Sequence, residues 1–301
     1  MTTTTDNHQL QPEPTELLLS MLNLEDLAPN GHDDALYSAE SLTQETPRIF
    51  GGQVLAQSII AASRTVEESR SLHSLHGYFL RPGAVADPLT YGVQKLNDAR
   101  SFSARRVHGY QHEEPIFSCI MSFQEPARGV EHSATMPSDV PEPESLPTAA
   151  DLIGKVPHPM AQAVAFTRPF DIRHITPALY TQADQNHRAT NMVWLKTTSA
   201  LPDNPVVHQA ALAYASDYTV MEPILRAHGK FWLQPGIKFA SLDHSMWFHR
   251  QARADEWLLY VQESPTAQDA RGLSTGRLFT RDGVHVATVT QEAMLRFPEF
   301  K

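Results

Sequence analysis

Ser101–Gln124 (SFSARRVHGYQHEEPIFSCIMSFQ) and Ala267–Gln291 (AQDARGLSTGRLFTRDGVHVATVTQ) follow one plan. Each reads as an Arg-containing strand, a charged hairpin turn and an apolar strand ending in Gln. Upstream of each lies a helix of small and apolar residues, Phe50–Arg64 (FGGQVLAQSIIAASR) and Pro205–Tyr218 (PVVHQAALAYASDY). Between helix and hairpin, each copy places a strand-like run holding histidines and aromatics, Leu72–Arg81 and Ile237–Arg250. A helix-then-strands unit used twice implies a duplicated domain. Duplication lets one copy keep chemistry while the other becomes scaffold, so differences between the copies carry the functional information.

The 301 residues suit one large domain or two of ordinary size, and the repeat favours two halves sharing a core. Hydrophobic residues at 41% and charged residues at 19% mark an ordinary globular chain rather than a disordered one. No apolar run approaches the length of a bilayer span, so no membrane insertion is expected. The first residues are Thr- and Gln-rich without a basic n-region or apolar core, and 1–14 are expected to form a disordered tail. A lone cysteine, Cys119, fits a reducing compartment, and the C-terminal Glu299-Phe300-Lys301 is not a peroxisomal address; a cytoplasmic location is the expectation. The formal net charge of −10 argues against nucleic-acid partners.

Along the chain, Pro29-Asn30-Gly31 is a turn, and Ala35–Glu45 reads as a first strand. The helix from Phe50 is apolar on all sides, as expected of one wrapped by a sheet. Strands at Leu72–Leu80, Leu89–Leu96, Phe102–Gly109 and Ile116–Phe123 read as an antiparallel meander. These make an N-terminal unit over 15–124. Residues 125–165 are a Pro-rich linker with a short helix near Ala149–Lys155. The C-terminal unit, 166–301, opens with strands near Phe170–His174 and Asn191–Thr197. Its helix has a cap at Asp203 or Asn204 and Pro205 at the first turn. Strands at Ile237–Phe248, Trp257–Glu263, Leu273–Thr280 and Val284–Leu295 complete it. The fold class is therefore α+β: a double hot-dog, two antiparallel sheets each wrapped around a long central helix.

The copies differ where chemistry is possible. With Gln53 set against Gln209, Asp217 falls opposite Ala61, and a carboxylate on an Ala-rich apolar helix is costly to bury without partners. An Asp that reaches solvent or a backbone amide near a helix end is the competing reading. Ser241 alternates with Ile237 and Phe239, and Gln291 alternates with Ala287, Val289 and Ala293 on the face turned to the helix. Each alone reads as a satisfied core polar group. Together a carboxylate, a hydroxyl and an amide can hold a water molecule and take its proton. Gln124 is the first-half counterpart of Gln291, but its helix offers Ala61 in place of a carboxylate, so one complete site per chain is expected, in the second half.

These residues also resemble a known family. FGGQVLAQ (50–57), LHSLHGYFLRPG (72–83), SFSARRV (101–107), PIFSCIMSFQ (115–124), YASDY (214–218), LDHSMWFHR (242–250), EWLLY (256–260), ARG (270–272) and TQEAMLR (290–296) are similar to the type II acyl-CoA thioesterases. The match runs from about Leu17 to Arg296. It implies hydrolysis of acyl-CoA to a free fatty acid and CoA by Asp217, Ser241 and Gln291, with Ser241 where many bacterial members carry Thr. It further implies no cofactor, an acyl-CoA substrate as small-molecule partner, and a homo-oligomer, dimer or tetramer. Gly51-Gly52 is a candidate oxyanion donor at a helix N-terminus, with close helix–sheet packing as the other reading. Arg81, Arg105 and Arg106 are candidates for the CoA phosphates, against solvated strand faces. The pairs His73/His76 and His244/His249 lack a third ligand for a metal, and Cys119 lacks a setting for a nucleophile. Two alternatives stand: an enoyl-CoA hydratase, which needs a His soon after Asp217 where Tyr218-Thr219-Val220 follow, and a non-catalytic acyl-CoA-binding protein.

Overall fold

The computed structural model describes residues 13–42 and 46–300. The first half runs α1 (Pro14–Leu22), β1 (Glu25–Leu27), β2 (Ala35–Ala39), α2 (Gly51–Ser63), β3 (Ser71–Phe79), β4 (Leu89–Asp98), β5 (Phe102–Gln111) and β6 (Glu114–Gln124). The connecting segment holds α3 (Ala149–Ile153) and α4 (Pro159–Phe166). The second half runs β7 (Phe170–His174), β8 (Thr190–Thr197), α5 (Pro205–Ser216), α6 (Glu222–Ala227), β9 (Lys238–Ser241), β10 (Asp243–Phe248), β11 (Leu258–Gln268), β12 (Arg271–Thr280) and β13 (His285–Arg296).

The two expected sheets are halves of one continuous antiparallel sheet in the order β1-β2-β4-β5-β6-β3-β10-β13-β12-β11-β8-β7, with β9 pairing only β13. The halves join where β3 pairs β10, from Tyr78↔Asp243 to Ser74↔Trp247. Joining them there leaves neither half with an unpaired central edge.

Each long helix lies against its own half-sheet and against the other helix. Every α2 residue from Gly52 to Ala62 is buried, as its all-round apolar pattern requires. Leu55 and Ile59 are wholly inaccessible, and truncating either to Ala costs about 2–5 kcal/mol. Asn204 caps α5 by accepting from the Val206 N–H at 3.0 Å, ahead of Pro205 in the first turn. The alanines of α5 keep it thin, and Ala210, Ala211, Ala213 and Ala215 are fully buried.

Several boundaries differ from the sequence reading. Helix α1 starts at Pro14, inside the stretch expected as tail; residues 1–12 lie outside the described residues, as does the end of the expected first strand at 43–45. The expected strand Ile237–Phe248 breaks at Leu242, whose N–H bonds Glu292 O, giving β9 and β10. Helix α4 ends at Phe166, across the expected linker boundary.

Strand register also corrects one pairing of the copies. Both hairpins carry an irregularity at matching places, between Gly109 and Tyr110 and between Leu278 and Phe279. Phe117 therefore matches Ala287, and counting four residues on puts Met121, not Gln124, opposite Gln291. The same match sets Gly77↔Cys119 at the β3–β6 pairing against Met246↔Val289 at the β10–β13 pairing.

Candidate active site

Asp217 is the C-cap of α5, with φ −83° and ψ −11°. It sits where the helix ends rather than on its face, which frees its side chain to turn toward the start of α2. Gly52 N–H donates to Asp217 Oδ2 at 3.0 Å. Gln291 Nε2 donates to Asp217 Oδ1 at 3.0 Å and to Ser241 Oγ at 3.0 Å. Ser241 Oγ in turn donates to Asp217 Oδ1 at 3.3 Å. The structure thus brings all three sequence-predicted residues within hydrogen-bond reach of one another. Asp217 is 6% exposed and Gln291 1%, while Ser241 is half-buried and marks the solvent side.

Burial is the largest influence on Asp217 and raises its carboxyl to about 6; the bonds from Gln291, Gly52 and Ser241 hold it from rising further. Its place at a helix C-terminus works in the same direction as burial, whereas the N-terminus of α2 opposes it. A carboxylate at this value is ionised at neutral pH and still basic enough to take a proton.

The first half, expected to be scaffold, supplies part of this environment. A Cβ at Gly51 would stand 2.7 Å from Asp217 Oδ2, and one at Gly52 would stand 2.3 Å from Tyr214 O. Glycine is needed there because the start of α2 meets the end of α5 backbone to backbone. Of the candidate oxyanion donors Gly51-Gly52, Gly52 has its N–H bonded to Asp217 in this structure. Phe50 stacks on Tyr218 (centroids 4.9 Å apart) and meets Tyr214 edge-on (5.1 Å), sealing this junction.

Behind the turn after Asp217 lies a buried polar cluster. Gln262 Nε2 donates to Thr219 Oγ1 at 2.7 Å, and Asn191 Nδ2 donates to Gln262 Oε1 at 2.8 Å and Glu222 Oε2 at 3.0 Å. Sequence reading missed this cluster because its members are spread over β8, α6 and β11. It also missed the surroundings of His244, which is fully buried; its Nδ1 lies 2.5 Å from Gln291 Oε1 and its Nε2 3.0 Å from Ser216 Oγ.

The other candidates separate clearly. Arg105 is buried and bonded to Asp98, to Thr65 and to the Asn97 and Ala104 carbonyls, so it is corrected from a CoA-phosphate candidate to an internal tie. Arg81 pairs with Glu114, and Arg106 with Gln94. His73 bonds Ser122, His76 bonds Ser245, and His249 bonds Thr288. No group of three or more His, Cys, Asp or Glu suited to a metal occurs among the described residues. Burial pushes the Cys119 thiol up to about 12, leaving no thiolate at neutral pH. Surface clefts of about 430 Å³ (at Arg168, Phe170 and Lys196) and about 590 Å³ (at Arg253, Trp257 and Arg281) are lined by none of the trio. No described helix is long and apolar enough to cross a membrane.

Two family models match the chain, "Acyl-CoA thioesterase N-terminal domain" over residues 39–124 and "Acyl-CoA thioesterase" over 163–294. Acyl-CoA thioesterase 2 of Haemophilus influenzae is 38% identical over 287 residues, spanning 94% of this chain and 98% of that protein. Acyl-coenzyme A thioesterase 8 of Homo sapiens is 35% identical over 292 residues, spanning 93% and 89%. Among solved structures, the acyl-CoA thioesterase II TesB2 of Mycobacterium marinum is 36% identical, with TM-score 0.74 over 94% of this chain and 98% of that one. A conserved protein of unknown function with hot dog fold from Alicyclobacillus acidocaldarius, 19% identical, reaches the same TM-score of 0.74 and shares the fold. With similarity running through both halves and over nearly the whole length of each relative, this chain belongs to the acyl-CoA thioesterase family.

Proposed function

We propose that this acyl-CoA thioesterase cleaves its thioester by direct attack of a water molecule, with Asp217 as general base and Ser241 and Gln291 as the groups that position the water. The observation that carries this reading is the shared amide: Gln291 Nε2 lies 3.0 Å from both Asp217 Oδ1 and Ser241 Oγ. One side chain thereby fixes base and hydroxyl at once. A thioester carbonyl has weak resonance stabilisation, so an oriented water with a base beside it is a sufficient nucleophile.

In this mechanism the water donates to Asp217 and is held by Ser241 along the line of attack. Its oxygen forms the new bond to the acyl carbon as Asp217 takes the proton. Collapse of the tetrahedral intermediate breaks the C–S bond, CoA leaves as thiolate, and the proton on Asp217 returns to solvent or to the sulfur. The hydratase alternative gains no support, because His244 reaches Asp217 only through Gln291.

The test is thiol release from acyl-CoAs of graded length, saturation and branching, with crotonyl-CoA hydration run in parallel. CoA release with stoichiometric free acid is expected. Tight acyl-CoA binding without CoA release, or loss of the enoyl chromophore without thiol, would overturn the proposal. Cytoplasmic location and a homo-oligomeric state form part of the same proposal.

A further inference from the structure

His244 and Gln291 face each other across β10 and β13, one step beyond the Ser245↔Thr290 pair. At the same place in the first half, Leu75 faces Met121 across β3 and β6, and both are fully buried. The fold therefore accepts an apolar pair at this position, and the repeat provides an internal control for what packing alone requires. In the second half a fully buried imidazole stands where leucine would serve.

The hydrogen bonds assign its hydrogens. Gln291 turns its NH2 toward Asp217 Oδ1 and Ser241 Oγ, so its carbonyl Oε1 faces His244. Two acceptors cannot share a 2.5 Å contact, so His244 Nδ1 carries the hydrogen and donates to Gln291 Oε1. Nε2 then lies 3.0 Å from Ser216 Oγ, whose one hydrogen it shares with the Ala213 carbonyl at 2.8 Å. A Gln amide has two orientations of nearly equal shape. The reversed one would aim Oε1 at the Asp217 carboxylate and at Ser241, and would leave NH2 against the Nδ1 hydrogen.

We infer that His244 is a positioning residue for the hydrolysis, locking the Gln291 amide in the one orientation that donates to both Asp217 and Ser241. The inference rests on the roles proposed above for the trio. His244 touches neither substrate nor water; it acts through Gln291.

The experiment compares His244→Leu, His244→Asn and His244→Gln by kcat and KM for thiol release, with thermal midpoints as a fold check. Leucine is the residue that the first half already carries in this setting. Removing a partner that orients a working side chain lowers kcat of His244→Leu by about tenfold to a hundredfold, with KM little changed. Asn places its Nδ2–H2 on Cγ, where His carries Nδ1, and recovers most of the loss. Gln carries its amide one bond further, toward Ser216, and does not recover it, so the Asn–Gln contrast stands even if the Leu variant fails to fold. In a Gln291→Ala background, His244→Leu causes no further loss. Wild-type kcat in His244→Leu, equal losses in Asn and Gln, or additive losses in the double variant would overturn the inference while leaving the hydrolase reading intact. Absence of thiol release from the wild-type protein overturns that reading, and the inference with it.

Discussion

Replacing Asp217 by Asn separates chemistry from folding at this site. The gap between the ordinary carboxyl value of 3.8 and about 6 means that, above pH 6, the ionised group costs about 3 kcal/mol of stability at about 1.36 kcal/mol per pH unit. Asn removes that cost. It also brings an NH2 into a pocket of three donors, Gly52 N–H, Gln291 Nε2 and Ser241 Oγ, so at least one loses its acceptor at about 1–3 kcal/mol. The two effects nearly cancel, and the variant is expected to fold with a thermal midpoint close to wild type. Loss of a general base lowers the rate by about 10²–10⁴, or about 3–5 kcal/mol in the barrier. The assay is thiol release at pH 8, where wild-type Asp217 is ionised, alongside acyl-CoA binding to the folded variant. A folded Asp217→Asn protein that releases CoA at a rate near wild type would refute the reasoning and remove Asp217 from the mechanism.

Three further outcomes are expected. Gln291→Ala withdraws a hydrogen bond to a charged group, worth about 1.5–3 kcal/mol, and lowers kcat on the order of tenfold to a hundredfold; a kcat equal to wild type would reduce Gln291 to packing. Ser241→Thr keeps the hydroxyl and leaves kcat near wild type, whereas Ser241→Ala lowers it; equal rates for the two would remove the hydroxyl from the mechanism. Gly52→Ala forces a Cβ to 2.3 Å from Tyr214 O and 2.5 Å from Phe50, costing about 1–3 kcal/mol in thermal stability and displacing the amide that holds Asp217. An unshifted melting temperature with full turnover would show that the α2–α5 junction yields freely.

The sequence revealed what periodicity and repetition encode. Alternation along Val284–Leu295 turned Gln291 inward, and contrast between two helices singled out Asp217, since both signals are local. The break at Leu242 was not legible, because it depends on a backbone bond to Glu292 in another strand. Nor was Met121 as the counterpart of Gln291: the hairpins share similar ends but differ in turn length, so string alignment slips where strand pairing does not. The capping of Asp217 by Gly52 joins residues 165 apart in sequence. The glycines stand out in the sequence, but the group they approach is set by how α2 crosses α5. His244 was visible as a histidine in an apolar strand. Its partners, Gln291 and Ser216, come from two other elements, which only the packed structure brings together.

The central claim, that a buried carboxylate raised to about 6 takes the proton from water, is tested most directly by the pH dependence of kcat/KM, which reports the free enzyme's essential groups. Because protonated Asp217 cannot accept, activity is predicted to fall tenfold per pH unit below about 6, and the residual rate of Asp217→Asn to lack this limb. An acid limb that persists unchanged in Asp217→Asn, or one set near the ordinary carboxyl value of 3.8, would contradict the account.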